Sequence, residues 1–422
     1  MSHALTDLDI QQAAAQSGVV GAFQRRARAS KRRRVVRTWL TLLPPVLFVL
    51  VTFAVPIVSV LYRAVEGVAS ADLPNAASAL GRWDGNTLPD PGIVTAVACD
   101  IKARSTPEIA DAARELNTRL SGYRSLLLRT KRELDSSNAP IGAGTLAAID
   151  PRWSDLAYWR ILLEATRSIT PYYILAALDL RQSTRNGIER APEDRRIYLA
   201  FVGTTFWICF VVTLCCAVIG YPVAYVMAQA APRVENILIF GLLIPFWTSV
   251  LVRTAAWVIV LQPNGLVNAL LKRLGVISTP LTLIYNRFGL YVAMIHVLLP
   301  FMILPIYSVM KSIPPNMMQA ACSLGATPLA GFRQVYLPLS LPGLSAGVLM
   351  TFVLGLGYYI TPALVGGAGE QMESGLIARF ALGEANWPMA AAIAVVLLLM
   401  TAMAFLVLSR VMKAVGLPGL TA

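Results

Sequence analysis

The stretch QAACSLGATPLAGFRQVYLPLSLPG, residues 319–343, guides the interpretation of the whole chain. It is mildly amphipathic and rich in helix-forming residues, with Gly325 at a break and Pro338 and Pro342 near its exit. It lies between two apolar runs that are each long enough to cross a bilayer. A short segment held at a membrane face in this way can dock into a groove on a soluble partner and transmit force.

The composition is that of an integral membrane protein. Of the 422 residues, 56% are hydrophobic and only 14% are charged, whereas soluble domains carry about 25% charged residues. Runs of about 20 apolar residues predict membrane-spanning helices. The predicted spans are residues 39–62, 200–228, 236–261, 288–311, 342–365 and 388–412. Prolines inside these runs favour kinked helices in a bundle, so the fold class is an all-α membrane protein.

A cluster of basic residues directly before the first span determines the predicted orientation. Its members are Arg25, Arg26, Arg28, Lys31, Arg32, Arg33, Arg34 and Arg37. A nucleic-acid-binding patch is the alternative interpretation, but the membrane context favours a positive-inside anchor. We therefore expect residues 1–38 to be a cytoplasmic tail, with both termini on the cytoplasmic side of the membrane. Residues 63–197 are then periplasmic and 312–341 cytoplasmic, although Lys272, Arg273 and Arg287 on the outside run against the rule.

The polar insertion, residues 63–197, separates the first span from the remaining spans, which lie in residues 198–422. Apolar residues at helical spacing predict helices across 105–136, with a break at Gly122, and across 155–180, with a break at Pro171. The Gly- and Pro-rich stretch 75–91 is predicted to be loop. A small helical periplasmic subdomain and a solvated spacer without a role are both open interpretations.

The sequence offers little material for chemistry within the chain itself. No Gly-rich nucleotide-binding motif occurs, and the five cysteines show no metal or disulfide spacing. The acids of residues 198–422 are Glu235, Glu370, Glu373 and Glu384. All lie in predicted loops or at span edges, whereas self-powered carriers place acids at membrane depth. The sequence therefore indicates a non-enzymatic membrane subunit energised by another protein; a scaffold that recruits a cytosolic partner and a self-powered carrier are the alternatives.

The segment between spans four and five is predicted to hold two short helices. Pro314 and Pro315 can start a helix over residues 316–324, and Gly325 suits a left-handed break. A second helix is expected over residues 328–336, ending before Leu337 and Pro338. An ordinary interhelical loop is the alternative.

This segment resembles the EAA motif of binding-protein-dependent ATP-binding-cassette (ABC) importer permeases. That motif reads Glu-Ala-Ala, three residues, Gly and, about nine residues later, Ile-x-Leu-Pro. The matching positions here are Gln319, Ala320, Ala321, Gly325, Val335, Leu337 and Pro338. In that family the first short helix is the coupling helix, which docks on the ATPase. Gln319 stands where the family has Glu, which removes a negative charge but keeps a hydrogen-bonding side chain.

Further motifs are similar to those of spermidine/putrescine permeases. They are GYPVAYVMAQ (220–229), PFWTSVLVRTAAW (245–257), NGLVN (264–268), LPFMILPIYSVM (299–310), PLSLPG (338–343), YYITPALVGG (358–367) and NWP (386–388). The resemblance implies a type I importer permease of a bacterial inner membrane, with six transmembrane helices, for polyamines or a related small organic solute. A permease for a non-polyamine solute is the alternative. It also implies two ATPase subunits, a second permease and a periplasmic binding protein as partners, with ATP and Mg²⁺ bound by the ATPases and no cofactor or metal in this chain.

Polar and aromatic residues within the predicted spans are candidates for the translocation path. They are Trp247, Thr248, Arg253, Trp257, Tyr358, Tyr359 and Thr361. Aromatic faces attract cations, and hydroxyls can bind a solute or a neighbouring helix. Span packing is the alternative for each, and Arg253 is expected to be structural because a buried cation is a poor neighbour for a cationic solute.

Overall fold

A computed structural model describes residues 39–67, 73–137, 140–142, 144–183, 187–193 and 196–414. The basic cluster of residues 25–37 lies outside these ranges. The chain divides into two units, Met1–Val60 and Leu61–Ala422. Helix α1, Trp39–Arg63, is the first apolar helix, and the large hydrophobic side chains along it are exposed.

The insertion is built of short helices followed by a hairpin. The helices are α2 Pro74–Leu80, α3 Pro91–Ala103, α4 Thr106–Arg119, α5 Tyr123–Ser136, α6 Thr145–Ile149, α7 Leu156–Ala165 and α8 Tyr172–Ala177. Strands β1 Leu180–Ser183 and β2 Gly187–Arg190 pair antiparallel. The predicted helices at 105–136 and the breaks at Gly122 and Pro171 are confirmed. The predicted helical stretch 155–180 is confirmed as far as Ala177, whereas Leu180 begins β1. The prediction that residues 75–91 are all loop is wrong, because Pro74 starts α2 in a first-turn position that suits proline.

The insertion has a hydrophobic core of its own. Leucine, isoleucine and alanine side chains from α2 to α7 are fully buried around Tyr123, Trp153 and Trp159. The two buried indoles have partners: the Trp159 Nε1–H donates to the Trp153 carbonyl at 2.7 Å, and the Trp153 Nε1–H donates to the Thr130 hydroxyl at 3.0 Å. The insertion is therefore a packed helical subdomain rather than a solvated spacer.

The remaining helices form the membrane part. They are α9 Tyr198–Gln229, α10 Pro232–Leu243, α11 Val250–Leu261, α12 Leu266–Arg273, α13 Arg287–Ser312, α14 Asn316–Ser323, α15 Pro328–Leu356, α16 Ile360–Val365, α17 Glu373–Ala378 and α18 Trp387–Ala414. Within the described residues, six helical stretches are long and apolar enough to cross a membrane. These are α1, α9, α11 with α12, α13, α15 and α18, which confirms the predicted number of spans.

Helices α9, α13 and α15 pack together as the centre of the membrane part. Gly343 and Gly347, four residues apart, face α13 so closely that a Cβ on either would lie 2.8 Å from the carbonyl oxygen of Pro305 or Met302. Small residues at this spacing let two helix backbones approach closely. In a bilayer such close packing stabilises the helix pair, because burial of apolar side chains contributes little to helix association there.

Two predicted spans have wrong boundaries. The predicted span 236–261 is broken: α10 ends in a 3₁₀ turn, Ile244–Trp247, and Ser249 precedes α11. The predicted span 342–365 begins much earlier, at Pro328, and ends at Leu356, with α16 a separate helix. Periodicity located the apolar runs but not these ends, because prolines and glycines such as Pro245 and Gly357 occur both inside and between the helices.

Candidate functional site

The segment between α13 and α15 has the geometry expected of a docking helix. Helix α14 ends in a Schellman motif: the Gly325 N–H donates to the Cys322 carbonyl at 3.0 Å and the Ala326 N–H to the Ala321 carbonyl at 3.1 Å. Gly325 has φ +88°, a left-handed conformation that suits glycine. The first predicted helix and its break are thus confirmed.

Helix α14 presents most of its surface outward. Within this fully described helix no side chain is buried, and Gln319 and Ala320 are both exposed. Leu324 and Leu329, just beyond its end, are 90% and 77% exposed. Met318 packs on the core of the membrane part, so one face of α14 is attached to the chain. The exposed leucines beside it form an apolar surface that is suited to contact with another protein.

An aromatic cluster attaches this segment to α9. The Tyr225 ring lies 5.7 Å from the Phe332 ring and 5.2 Å from the Tyr336 ring, each at nearly a right angle. Tyr221 adds a ring contact with Phe332 and a 2.7 Å hydrogen bond with the Ser340 hydroxyl. The sequence analysis missed this cluster, although Tyr221 and Tyr225, and Phe332 and Tyr336, each stand four residues apart and so share a helix face.

The expectation that the second short helix ends before Leu337 and Pro338 is wrong. Residues Phe332–Tyr336 form a π-helical turn, in which the Leu337 N–H donates to the Phe332 carbonyl, and the helix continues to Leu356. The wider turn precedes Pro338, whose nitrogen has no hydrogen to donate. The second short helix, from Pro328, and the fifth span are therefore one continuous helix, α15, in which Leu337 is half-buried and Pro338 is exposed.

Glu235 joins α10 to the C-terminal end of α13, from which the chain continues to α14. Its carboxylate accepts hydrogen bonds from the Tyr307 hydroxyl and, at 2.7 Å, from the Lys311 ammonium. The hydrogen bond from Lys311, followed by that from Tyr307, lowers the pKa of Glu235 below its usual value. This acid lies near a loop, as predicted, but it is paired within the chain.

Part of the predicted translocation path comes together between α11, α13 and α16. The Thr361 hydroxyl lies 3.2 Å from that of Thr254, and the Trp257 Nε1–H donates to His296 Nδ1 at 3.2 Å. Arg253, one turn before Trp257, lies within electrostatic range of His296 and Tyr358. Its Nε–H is buried and has no hydrogen-bond partner in the part of the chain that the structure describes.

The other three candidates, Trp247, Thr248 and Tyr359, are exposed. Trp247 is 84% exposed at the end of the 3₁₀ turn, and the adjacent Thr248 hydroxyl donates to the Pro245 carbonyl at 3.0 Å. Tyr359 is 40% exposed. Thr254 and His296 belong to the cluster but were not candidates; Thr254 could have been found from its position next to Arg253, one turn before Trp257.

The insertion is fixed to the start of α9 by one carboxylate. Asp179 is buried with φ +56°, and it accepts hydrogen bonds from the N–H groups of Ile197, Tyr198 and Leu199 at 3.1, 3.1 and 2.8 Å. Helix α8 also packs against α18. A cavity of about 700 Å³ lies between the insertion and these helix ends, with Arg119, Glu164, Tyr172, Tyr198 and Met389 among its lining residues.

Comparisons with known proteins find similarity over the membrane part of the chain. Residues 205–409 match the family described as binding-protein-dependent transport system inner membrane component. Spermidine/putrescine transport system permease protein PotB of Haemophilus influenzae is 31% identical over 217 residues, 51% of this chain and 76% of that protein. PotB of Escherichia coli K12 is 34% identical over 200 residues, 47% and 73% of the respective chains. A chain of the inward-facing MetNI methionine ABC transporter has 20% identity and a TM-score of 0.42, covering 51% of this chain and 95% of that one.

Proposed function

Because this chain belongs to the binding-protein-dependent inner-membrane components of ABC importers, it is a multi-pass permease subunit, and we propose that it imports polyamines or a related small organic cation. Energy enters through α14, which docks on a separate ATPase chain that binds ATP and Mg²⁺. The observation that carries this coupling role is the exposure of α14 and of Leu324 and Leu329 beside it. The start of α15, which follows α14, is fixed to α9 by the aromatic cluster.

The assembly we propose has two ATPase subunits, a second permease and a periplasmic binding protein. ATP-driven closure of the ATPases moves α14, and the continuous α15 carries that movement into the centre of the membrane part. Gln319 is exposed and holds α14 to its ATPase by hydrogen bonding in place of an ion pair. Family membership sets aside the scaffold and the self-powered carrier.

Polyamines are proposed as cargo because both PotB relatives are named for spermidine and putrescine transport. The test is uptake of labelled spermidine and putrescine into vesicles containing this chain and its partner subunits, with ATP. We expect uptake only when ATP, ATPase and binding protein are all present. Uptake that persists without the ATPase would refute the coupling role, and uptake of neutral or anionic solutes alone would refute the cargo.

The orientation we propose places the insertion in the periplasm and α14, with both termini, in the cytoplasm. Two exposed cysteines, Cys99 in the insertion and Cys322 in α14, provide natural reporters. A membrane-impermeant thiol reagent should label Cys99 in spheroplasts and Cys322 only in inverted vesicles, with Cys99→Ser and Cys322→Ser identifying each signal. The opposite labelling pattern would overturn the orientation.

A further inference from the structure

Glu373 is a buried carboxylate without a counter-charge. Its side chain begins α17, between the fifth and sixth spans, and the residue is only 2% exposed. The Oε2 atom is fully buried and has no hydrogen-bond partner in the part of the chain that the structure describes. Burying an unpaired carboxylate costs several kcal/mol, so such a group either holds a proton or awaits a cation.

The charged groups around α17 do not neutralise Glu373. Arg287 is paired with Glu370 at 2.8 Å, and Arg379 is paired with Glu384 at 2.9 Å. The elements packed on α17 are α9, α16, α18 and the turn Arg379–Gly383. Helices α9 and α16 contain no charged residue, and Arg410 is at the far end of α18. Burial alone raises the pKa of Glu373 to about 7, with no basic group opposing the shift.

The position of Glu373 connects it with the path cluster. The next residue, Ser374, donates its hydroxyl to the Tyr358 carbonyl at 2.7 Å, and the Glu373 N–H donates to the Thr205 hydroxyl at 2.8 Å. Glu373 is therefore fixed between the central helix α9 and the segment that presents Tyr358 to Arg253.

We propose that Glu373 is a binding residue for an alkylammonium group of the transported cation, at the entrance to the cluster of Arg253, Trp257, Tyr358 and Thr361. The ammonium group supplies the positive charge that no neighbouring side chain provides. The carboxyl group of Glu373 releases its proton when the cation binds. Arg253, farther along the path, repels the cation. The cation therefore binds to the Glu373 carboxylate only transiently during transport. This inference rests on the proposed cationic cargo.

Binding can be tested directly on the full-length chain. Dicyclohexylcarbodiimide modifies protonated carboxyl groups in apolar surroundings, and mass spectrometry of the peptide containing Glu373 measures the modification. Putrescine should protect Glu373 in a concentration-dependent way at pH 7, whereas the uncharged 1,4-butanediol should not. Equal modification with and without putrescine would overturn the proposal.

Transport provides the second measurement. In vesicles with saturating binding protein, Glu373→Gln should lower putrescine uptake roughly thirtyfold or more, since losing one partner of a buried charge pair costs at least about 2 kcal/mol. Glu373→Asp should restore part of the rate. Glu384→Gln is the matched control, because it removes an equal charge from an exposed ion pair that contributes little.

The two proposals fail in different ways. If the wild type imports putrescine and Glu373→Gln imports it equally well, the role of Glu373 is wrong and the cargo stands. If the wild type imports another organic cation and Glu373→Gln loses that uptake, polyamines are the wrong cargo and the carboxylate site stands. If the cargo carries no positive charge and Glu373→Gln has no effect, both are wrong.

Discussion

Helix α14, in the docking segment of residues 312–341, and the insertion, residues 63–197, differ in how far they bury their own apolar side chains. Helix α14 buries none of its side chains and is followed by the exposed Leu324 and Leu329. The insertion buries Tyr123, Trp153 and Trp159 in a core of its own. Helix α14 therefore leaves apolar surface uncovered beside it, whereas the insertion is folded around a core of its own and is attached to α9 and α18.

This difference shows what a short segment and a long one can each do. A helix of two turns cannot form a core of its own. Exposed apolar surface beside such a helix is suited to being covered by a partner in an assembly. A region of more than a hundred residues can bury enough surface to fold, and it contacts the membrane part through Asp179 and through the packing of α8 on α18. Changes in the docking segment should act on coupling, and changes at the attachment should act on stability.

The largest expected effect is on coupling at Gly325. Gly325→Val forces a β-branched residue into a left-handed conformation, which costs a non-glycine residue about 1–2 kcal/mol or more. The Schellman turn that sets the direction of α14 should be lost. We expect ATP-dependent uptake to fall roughly tenfold or more, while ATPase activity continues.

Gly275 provides the matched control for that change. It has φ +72°, with no atom within 4 Å of where its Cβ would be, and the Val276 N–H donates to the Leu271 carbonyl in the same turn geometry after α12. Gly275→Val thus introduces the same strain away from the docking segment. Equal losses of uptake in both variants would show that strain, and not docking, is responsible.

The second effect is a pH dependence that arises in the membrane part and not in the insertion. The pKa of Glu373 is raised by burial from 4.5 to about 7, so the folded state binds a proton that the unfolded state releases. Its stability contribution is complete below pH 4.5 and is lost as the pH rises through 7, by about 3 kcal/mol. The melting temperature of Glu373→Gln should lose this pH dependence. At pH 8 the variant should be as stable as it is at acidic pH.

Glu115 in the insertion is the comparison for this effect. It is buried like Glu373 but is paired with Arg119 at 3.1 Å, so Glu115→Gln should not remove the loss of stability between pH 4.5 and 7. If that variant flattens the pH dependence as Glu373→Gln is expected to do, the titrating group has been assigned to the wrong region.

The third effect concerns the attachment of the insertion. Asp179→Ala removes the acceptor for three N–H groups at the start of α9, and loss of a helix cap costs about 1–2 kcal/mol. The melting temperature of the full chain should fall, with uptake per folded molecule unchanged. Asp155→Ala, which removes the cap of α7 inside the insertion, should cost less, because Asp155 is exposed; a larger loss there would contradict the role of Asp179.

The sequence predicted what depends on local pattern. Apolar runs located six spans, and Gly325 marked the end of α14, because a left-handed residue after a helix is a local requirement. The sequence did not predict contacts between distant residues. For example, no residue near Asp179 in the sequence indicates that Asp179 caps the helix beginning at Tyr198. Burial of Glu373 also escaped prediction, since a loop position gives no measure of how closely α9 and α18 pack over it.

The smallest expected effect is at Gln319, where this chain departs from the EAA pattern. Gln319 is exposed on α14, so Gln319→Glu leaves the fold of the segment unchanged, and the unfolding temperature of the isolated chain should not move. If the ATPase groove accepts a polar side chain of this length, assembly measured by co-purification should also be retained. Loss of assembly with an unchanged fold would show that the groove has adapted to an uncharged partner, which would place the specificity of docking at this one position of α14.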